Sequence, residues 1–149
     1  MNARLLATLV AAGAVAVSAA PAGAAPKTMK GSYPVTAPVP FPMTTDVPTM
    51  YGCIDGQESV SKVSKDVTLP DAGLLKVELA YTGDWDLYVL DKTGAILAAA
   101  ETSETGNTSA AKEKLSWKKG KKGQVVTLVA CNWMGTADAT VSYTYTYGK

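Results

Sequence analysis

The sequence predicts an all-β protein, an antiparallel β-sandwich that is jelly-roll-like, with about seven or eight strands and one disulfide. Short segments alternate apolar and polar residues with a period of two, which is typical of half-buried strands. Glycine- and asparagine-containing turn signals separate these segments. No amphipathic helical stretch of about ten or more residues competes with them.

The first residues, 1–24, are predicted to be a signal peptide that is cleaved near Ala24. Arg4 supplies a positive start, an apolar run extends from Leu5 to Val17, and small residues precede the cleavage point. The run is shorter than the roughly 20 apolar residues that span a bilayer. We therefore expect a secreted, extracellular protein without a membrane span.

Residues 25–50 contain six of the eight prolines. Proline fixes φ and removes a backbone donor, so this segment is predicted to be an extended, Pro-rich lead-in. Two uses remain open, a spacer or a ligand that docks onto a partner. The β-sandwich domain is predicted to occupy residues 51–149.

Within that domain the strands are predicted from their alternation. The segments are 61–69, 75–81, 84–90, 96–100, 112–118, 125–131 and 139–147. The 125–131 segment is almost wholly apolar, as expected for a central strand. Asp91 and Gly94 frame a predicted tight turn, because Asp can bond its own backbone and Gly tolerates positive φ. Residues 101–109 are polar and predict a loop.

Composition excludes several kinds of chemistry. The chain has no histidine, which rules out Ser-His-Asp and Cys-His triads and His-ligated zinc. Arg4 is the only arginine, so the mature chain carries 13 lysines against 13 acidic residues. A net charge near zero gives no general attraction to nucleic acid or to membranes. We predict that the protein is not an enzyme.

The chain has two cysteines, Cys53 and Cys131. In an exported chain an even pair most simply forms one structural disulfide. A nucleophilic thiol is the alternative, and it lacks a histidine partner.

The order of motifs resembles a known family. Strand and turn features occur as LLKVELAYTGDWDLYVLDKTG, then GQVVTLVAC, then ATVSYTYTY. Residues from about Val67 to Tyr147 are thus similar to the bacterial pre-peptidase C-terminal domain, a secreted β-sandwich usually appended to proteases. The resemblance implies an accessory or binding role rather than catalysis.

Two acidic residues suggest calcium. Asp84 and Asp86 are predicted to share a strand face, and calcium prefers several oxygen ligands. Some members of the resembling family bind calcium near their N-terminal side, which implicates Asp55 and Glu58 as further ligands. The alternative is structural, with carboxylates that bond backbone amides and keep a strand edge soluble.

Lysines and tryptophans form the other predicted ligand-binding set. Lysines on the turn after the fifth segment would contact an anionic polymer, and Trp117 or Trp133 would stack on a sugar. The lysines are Lys118, Lys119, Lys121 and Lys122. The alternative is a solvated hairpin tip whose lysines protect an edge from aggregation.

Together these observations predict a non-catalytic secreted accessory or binding module, stabilised by calcium, that contacts an extracellular polysaccharide or protein. Nucleic acid is not an expected partner. One alternative is a structural or interaction protein of the cell envelope, in which the Pro-rich segment docks onto a partner. Another is a small hydrolase that uses Asp84 and Asp86 as an acidic pair.

Overall fold

A computed structural model describes residues 25–38, 61–101 and 110–148. This part of the chain contains eight strands and no helix. The strands are β1 (Lys27–Thr36), β2 (Lys62–Thr68), β3 (Gly73–Thr82), β4 (Trp85–Asp91), β5 (Ile96–Ala100), β6 (Ala110–Gly120), β7 (Val125–Asn132) and β8 (Asp138–Tyr147). Within these ranges no helix is long and apolar enough to cross a membrane.

The strands form two antiparallel four-stranded sheets, ordered β1-β8-β3-β6 and β2-β7-β4-β5. The pairs β1·β8, β2·β7, β3·β6 and β4·β5 nest inside one another along the chain. A long hairpin wrapped into two sheets gives this pattern, which is that of a jelly roll. The predicted all-β, antiparallel class and the strand number are confirmed.

Both sheets contribute side chains to one apolar core. Every second residue of β3 points inward, and Leu75 and Leu79 are fully buried. In the other sheet, Trp85, Leu87 and Val126 are equally buried. The alternation seen in the sequence thus fills the space between two sheets, as in other sandwiches.

Strand β1 lies inside the segment that the sequence assigns to a lead-in. Residues 27–36 are extended as predicted, but all ten pair with β8 as an edge strand of the sandwich. Val35 is 2% exposed in the core, and the Lys65 ammonium lies 4.2 Å from the centroid of the Tyr33 ring. The predicted domain boundary at residue 51 is therefore too late, since the domain includes β1.

The tight turn predicted at Asp91–Gly94 is confirmed. At the β4–β5 connection the Gly94 N–H donates to the Asp91 carbonyl over 3.0 Å, and Gly94 has a φ of 86°. The side chain of Asp91 accepts bonds from the Thr93 and Ala95 N–H groups at 2.8 and 3.0 Å. Carboxylate capping of this kind fixes a tight turn.

The outward face of the β2-β7-β4-β5 sheet carries a second apolar cluster. It contains Tyr88, Leu90, Val129 and Cys131, with Trp133 packed against it. Tyr88 and Cys131 have no exposed surface although they point away from the main core. The candidate functional site lies on this covered face.

Candidate functional site

Asp86 lies at the centre of the candidate site, on β4. Strand register pairs Asp86 with Cys131 of β7, so both residues point to the outward face of their sheet. Asp86 is 8% exposed. A carboxylate this deeply buried needs hydrogen-bond donors to offset its lost hydration.

Two aromatic side chains supply those donors. The Tyr88 hydroxyl donates to Asp86 Oδ2 over 2.9 Å, and the Trp133 indole N–H donates to the same oxygen. Tyr88 lies two residues further along β4 and therefore on the same face. Trp133 comes from the turn after β7. The carboxylate thus joins a strand to the neighbouring loop.

The electrostatics follow from this burial. The pKa of Asp86 is raised to about 6, first by loss of hydration and then by the nearby carboxylates of Glu101 and Asp84. The hydrogen bonds from Tyr88 and Trp133 act in the opposite direction. Burial and the Asp86 charge likewise raise the pKa of Tyr88. We call Asp84, Asp86, Tyr88, Glu101 and Trp133 the Asp86 cluster.

Backbone bonds hold the Trp133 turn against the β3–β4 connection. The N–H groups of Trp133 and Met134 donate to the Asp84 carbonyl at 2.9 and 3.1 Å, and the Asp84 N–H donates to the Met134 carbonyl at 3.2 Å. These bonds hold the β3–β4 connection and the Trp133 turn side by side at one end of the sandwich. They thereby position the Trp133 indole to donate its hydrogen bond to Asp86.

Buried Asn132 organises the same end of the sandwich. Its amide donates to the Ala37 carbonyl over 2.8 Å, and its side-chain oxygen accepts the Gly135 N–H at 2.7 Å. Gly135 also lies against Trp85, where an added Cβ would come within 2.3 Å of the indole nitrogen. Only glycine allows this approach of the turn to the core.

The predicted calcium ligands are only partly placed. Asp84 and Asp86 lie within the Asp86 cluster, whereas Asp55 and Glu58 fall outside the described residues. In the part of the chain that the structure describes, no three His, Cys, Asp or Glu residues are grouped to hold a metal. One oxygen of Asp86 is already bonded to two donors. The described residues therefore do not form a complete calcium site by themselves.

The predicted polymer-binding set is divided by the fold. Trp117 is 7% exposed and packs in the main core, so the prediction that it stacks on a surface sugar is wrong. Trp117 shares the inward face of β6 with Leu115. The lysine next to it in the sequence points to the opposite, outward face, so it does not indicate a surface position for Trp117. Trp133 is half-buried and bonds Asp86 instead of standing free.

The predicted lysines are exposed at the end of the sandwich opposite Asp86. They are Lys118, Lys119, Lys121 and Lys122. Their turn is held by bonds from Gly123 N–H to the Leu69 carbonyl and from Gln124 N–H to the Lys121 carbonyl. Seven residue steps of β7, about 24 Å, separate this tip from the Asp86 cluster. The two predicted sites are thus distinct.

Cys131 lies in the covered cluster beside Asp86 and is fully buried. No cysteine is free among the described residues. Its predicted partner, Cys53, falls outside the described ranges, so the pairing stays a prediction.

Tyr88 and Glu101 are members of the cluster that the sequence analysis missed. A signal for Glu101 exists in the sequence, because the predicted Asp91–Gly94 turn folds β5 back on β4. Ala100 pairs with Leu87, which leaves the next residue, Glu101, level with Asp86. The burial of Tyr88 had no such signal, since alternation predicts that this face is solvated.

Chemically, the cluster is a buried carboxylate held by two aromatic donors. It stabilises the contact between β4 and the Trp133 turn, and its high pKa makes that contact dependent on pH. In a comparison with known protein families the chain matches none, and a comparison with curated proteins likewise returns no match.

Proposed function

We propose that this protein is a secreted, non-catalytic binding module that contacts an extracellular polysaccharide or protein. One observation carries the proposal. Asp86, the residue on which a catalytic interpretation depends, is 8% exposed and bonded by Tyr88 and Trp133. A buried carboxylate that accepts internal hydrogen bonds stabilises the fold instead of contacting a substrate. The exposed polar faces of the sandwich are then available for binding.

The family resemblance supports the same function. The pre-peptidase C-terminal domain is expected to be a sandwich, and the nested strand pairing is compatible with that expectation. The predicted signal peptide, residues 1–24, implies export. In an exported chain, we further propose that Cys131 pairs with Cys53. The absence of a free thiol among the described cysteines supports this.

The hydrolase alternative fits the geometry less well. Glycosidases position two carboxyl groups on either side of the bond that they cleave. Asp86 instead accepts a hydrogen bond from the Trp133 indole N–H, and the first cause of its raised pKa is burial. A raised pKa alone does not indicate catalysis, because structural carboxylates are shifted by the same physics.

The envelope alternative depends on the Pro-rich segment. Its partner-docking part must now be sought in residues 39–50, because residues 27–36 form β1 and pair with β8. Deletion of the whole 25–50 segment would remove an edge strand. Loss of a partner after that deletion would therefore not identify a docking motif.

Calcium remains part of the proposal for one reason. Asp84 and Glu101 lie close enough to raise the pKa of Asp86, so a bound cation would relieve their mutual repulsion. The remaining oxygen ligands would come from outside the described residues, with Asp55 and Glu58 as candidates. Millimolar calcium should then raise the Tm, and Asp86→Asn should abolish the increase. An unchanged Tm would contradict calcium binding.

The experiment that tests the function is a combined binding and turnover screen of the mature protein. Pull-down on insoluble glycans, on collagen-like polymer and on envelope proteins should show retention without release of products. Asp86→Asn serves as the matched variant, because it keeps a carbonyl acceptor for Tyr88 and Trp133. Turnover that is lost in this variant while the fold persists would establish the hydrolase instead.

A further inference from the structure

The outward face of the β1-β8-β3-β6 sheet is rich in lysine. Its charged side chains are five lysines and two carboxylates, Glu78 and, at one end of β8, Asp138, which accepts a hydrogen bond from the Thr36 hydroxyl. The lysines are Lys30, Lys76, Lys112, Lys114 and Lys118, all exposed. We call this surface the basic face.

Register places these charges in an ordered pattern. Lys30 of β1 and Lys76 of β3 both pair with Thr144 of the strand between them. The two ammonium groups therefore flank one row of the sheet, about 10 Å apart at their Cα atoms. Lys114 lies opposite Glu78 on the next strand pair.

Glu78 neutralises only part of the charge. It forms ion pairs with Lys112 at 2.7 Å and Lys114 at 3.5 Å, and the bond from Lys112 lowers the pKa of Glu78. Lys30, Lys76 and Lys118 have no ion pair within the described ranges. The face therefore keeps a net positive charge at neutral pH.

Hydroxyl groups occupy most of the remaining outward positions. They belong to Thr28, Ser32, Ser116, Thr140, Ser142, Thr144 and Thr146. A shallow depression of about 430 Å³ opens among them. It is lined by the outward residues Lys76, Glu78, Lys114, Ser116, Ser142 and Thr144, together with Val77, Leu115 and Tyr143. The surface thus combines hydrogen-bonding groups with cations.

The outward side of the β2-β7-β4-β5 sheet carries Asp66, Asp86 and Glu101 against Lys62, and Asp86 is 8% exposed within the covered cluster. No comparable group of exposed lysines lies there among the described residues. A polyanion would therefore be attracted to the basic face.

We propose that the basic face binds a linear anionic polysaccharide, whose carboxylate or sulfate groups contact the lysines and whose sugar hydroxyls contact the serines and threonines. This inference rests on the proposed binding function and names its ligand class and surface. The repeating charges of such a chain suit cations spread over a flat sheet.

Two other polyanions fit the face less well. Nucleic acid is recognised largely through arginine forks and stacked aromatics, and the chain beyond Arg4 has no arginine. Anionic membranes are bound with apolar side chains that insert. The exposed large hydrophobic side chains of the described residues, Ile96 and Met134, lie on β5 and on the Trp133 turn.

The test measures binding of the mature protein to alginate and to heparin over a series of NaCl concentrations, with neutral dextran, duplex DNA and phosphatidylglycerol vesicles in parallel arms. We expect binding to alginate or heparin that weakens steeply with salt, because exposed charges are screened. The alginate and heparin arms distinguish carboxylated from sulfated glycans. DNA or vesicles bound more tightly than both glycans would overturn the inference.

Charge-reversal variants locate the surface. Lys30→Glu with Lys76→Glu should weaken glycan binding by about tenfold or more, since several individually weak ion pairs become repulsive together. Lys65→Glu with Lys92→Glu makes the same charge change away from the basic face and should alter binding by less than about threefold. Equal losses in both variants would indicate general attraction and overturn the inference.

The remaining outcomes separate this inference from the proposed function. If only Lys121→Glu with Lys122→Glu abolishes glycan binding, the ligand lies at the hairpin tip, and the basic face is excluded while the binding function stands. Salt-insensitive binding to neutral dextran would likewise exclude the basic face as the binding surface and leave the proposed binding function standing. If no glycan and no protein binds, both proposals fail.

Discussion

At the scale of single residues, Asp86 shows how a polar side chain can be part of a covered face. Period-two alternation places Asp86 opposite the buried Leu87 and so predicts that it is solvated. That prediction assumes that one face of the sheet meets water. The outward side of β4 instead carries part of the second apolar cluster, which is buried, and Asp86 is an internal acceptor for Tyr88 and Trp133.

This burial predicts a pH-dependent stability. The pKa of Asp86 is raised from 3.8 to about 6 in the folded protein, so the folded state binds the proton more tightly than the unfolded state. The stabilisation is fully present below about pH 4 and is lost as the pH rises through about 6. Ionisation of Asp86 then costs about 3 kcal/mol of folding free energy above about pH 7.

Asp86→Asn removes the charge and keeps an acceptor oxygen. Its unfolding free energy, measured in urea with EDTA present, should exceed that of the wild type at about pH 8 by roughly 2–3 kcal/mol and match it near pH 4. Asp91→Asn is the control of opposite sign. Bonds from Thr93 and Ala95 lower the pKa of Asp91, so that variant should lose stability at pH 8. Asp86→Asn that is destabilised at pH 8 in EDTA would contradict the burial argument.

Trp117 marks a limit of residue-level prediction. Period-two alternation in the 112–118 segment puts Trp117 on the same side as Leu115, whereas the lysines beside it suggested a surface site. The structure shows it 7% exposed in the core. In a strand, charge on adjacent residues says nothing about the intervening side chain, because neighbours point to opposite faces.

At the scale of elements, most strands were predictable and β1 was not. The segments 75–81, 125–131 and 139–147 alternate or are continuously apolar, and they became β3, β7 and β8. Strand β1 contains Pro34 and lies among prolines, which usually exclude a strand. As an edge strand it has only one hydrogen-bonded neighbour, and proline is tolerated there. Which strand lies at an edge is a property of the topology.

We predict that β1 contributes to the stability of the whole sandwich. Val35 is 2% exposed and packs with side chains of both sheets. Val35→Ala should lower the unfolding free energy by about 2 kcal/mol, because it removes buried methyl groups and leaves a cavity. Thr28→Ala, on the exposed side of the same strand, should change it by less than about 0.5 kcal/mol. If chemical denaturation gave equally small losses of unfolding free energy for Val35→Ala and Thr28→Ala, β1 would not contribute to the stability of the sandwich.

At the scale of the whole molecule, topology creates features that no local pattern carries. The pairing of β1 with β8 brings residues near both ends of the domain together. The same wrapping collects five lysines from β1, β3 and β6 on one face. A count of 13 lysines against 13 acidic residues in the mature chain does not predict this face. The grouping of these lysines in space requires the sheet order.

The proposed disulfide acts at this scale too, because it would tie β7 to a residue far away in sequence. A Cys53–Cys131 bond closes a loop of about 78 residues, and restricting the unfolded chain to that extent stabilises the fold by about 4 kcal/mol. Reduction with dithiothreitol should therefore lower the Tm of the wild type by about 10 °C or more. The double variant Cys53→Ala with Cys131→Ala should unfold at a low Tm that dithiothreitol does not change. Since Cys131 is fully buried, this insensitivity to reductant separates the cross-link from lost packing. Two alkylatable thiols in the unreduced, denatured wild type would disprove the bond.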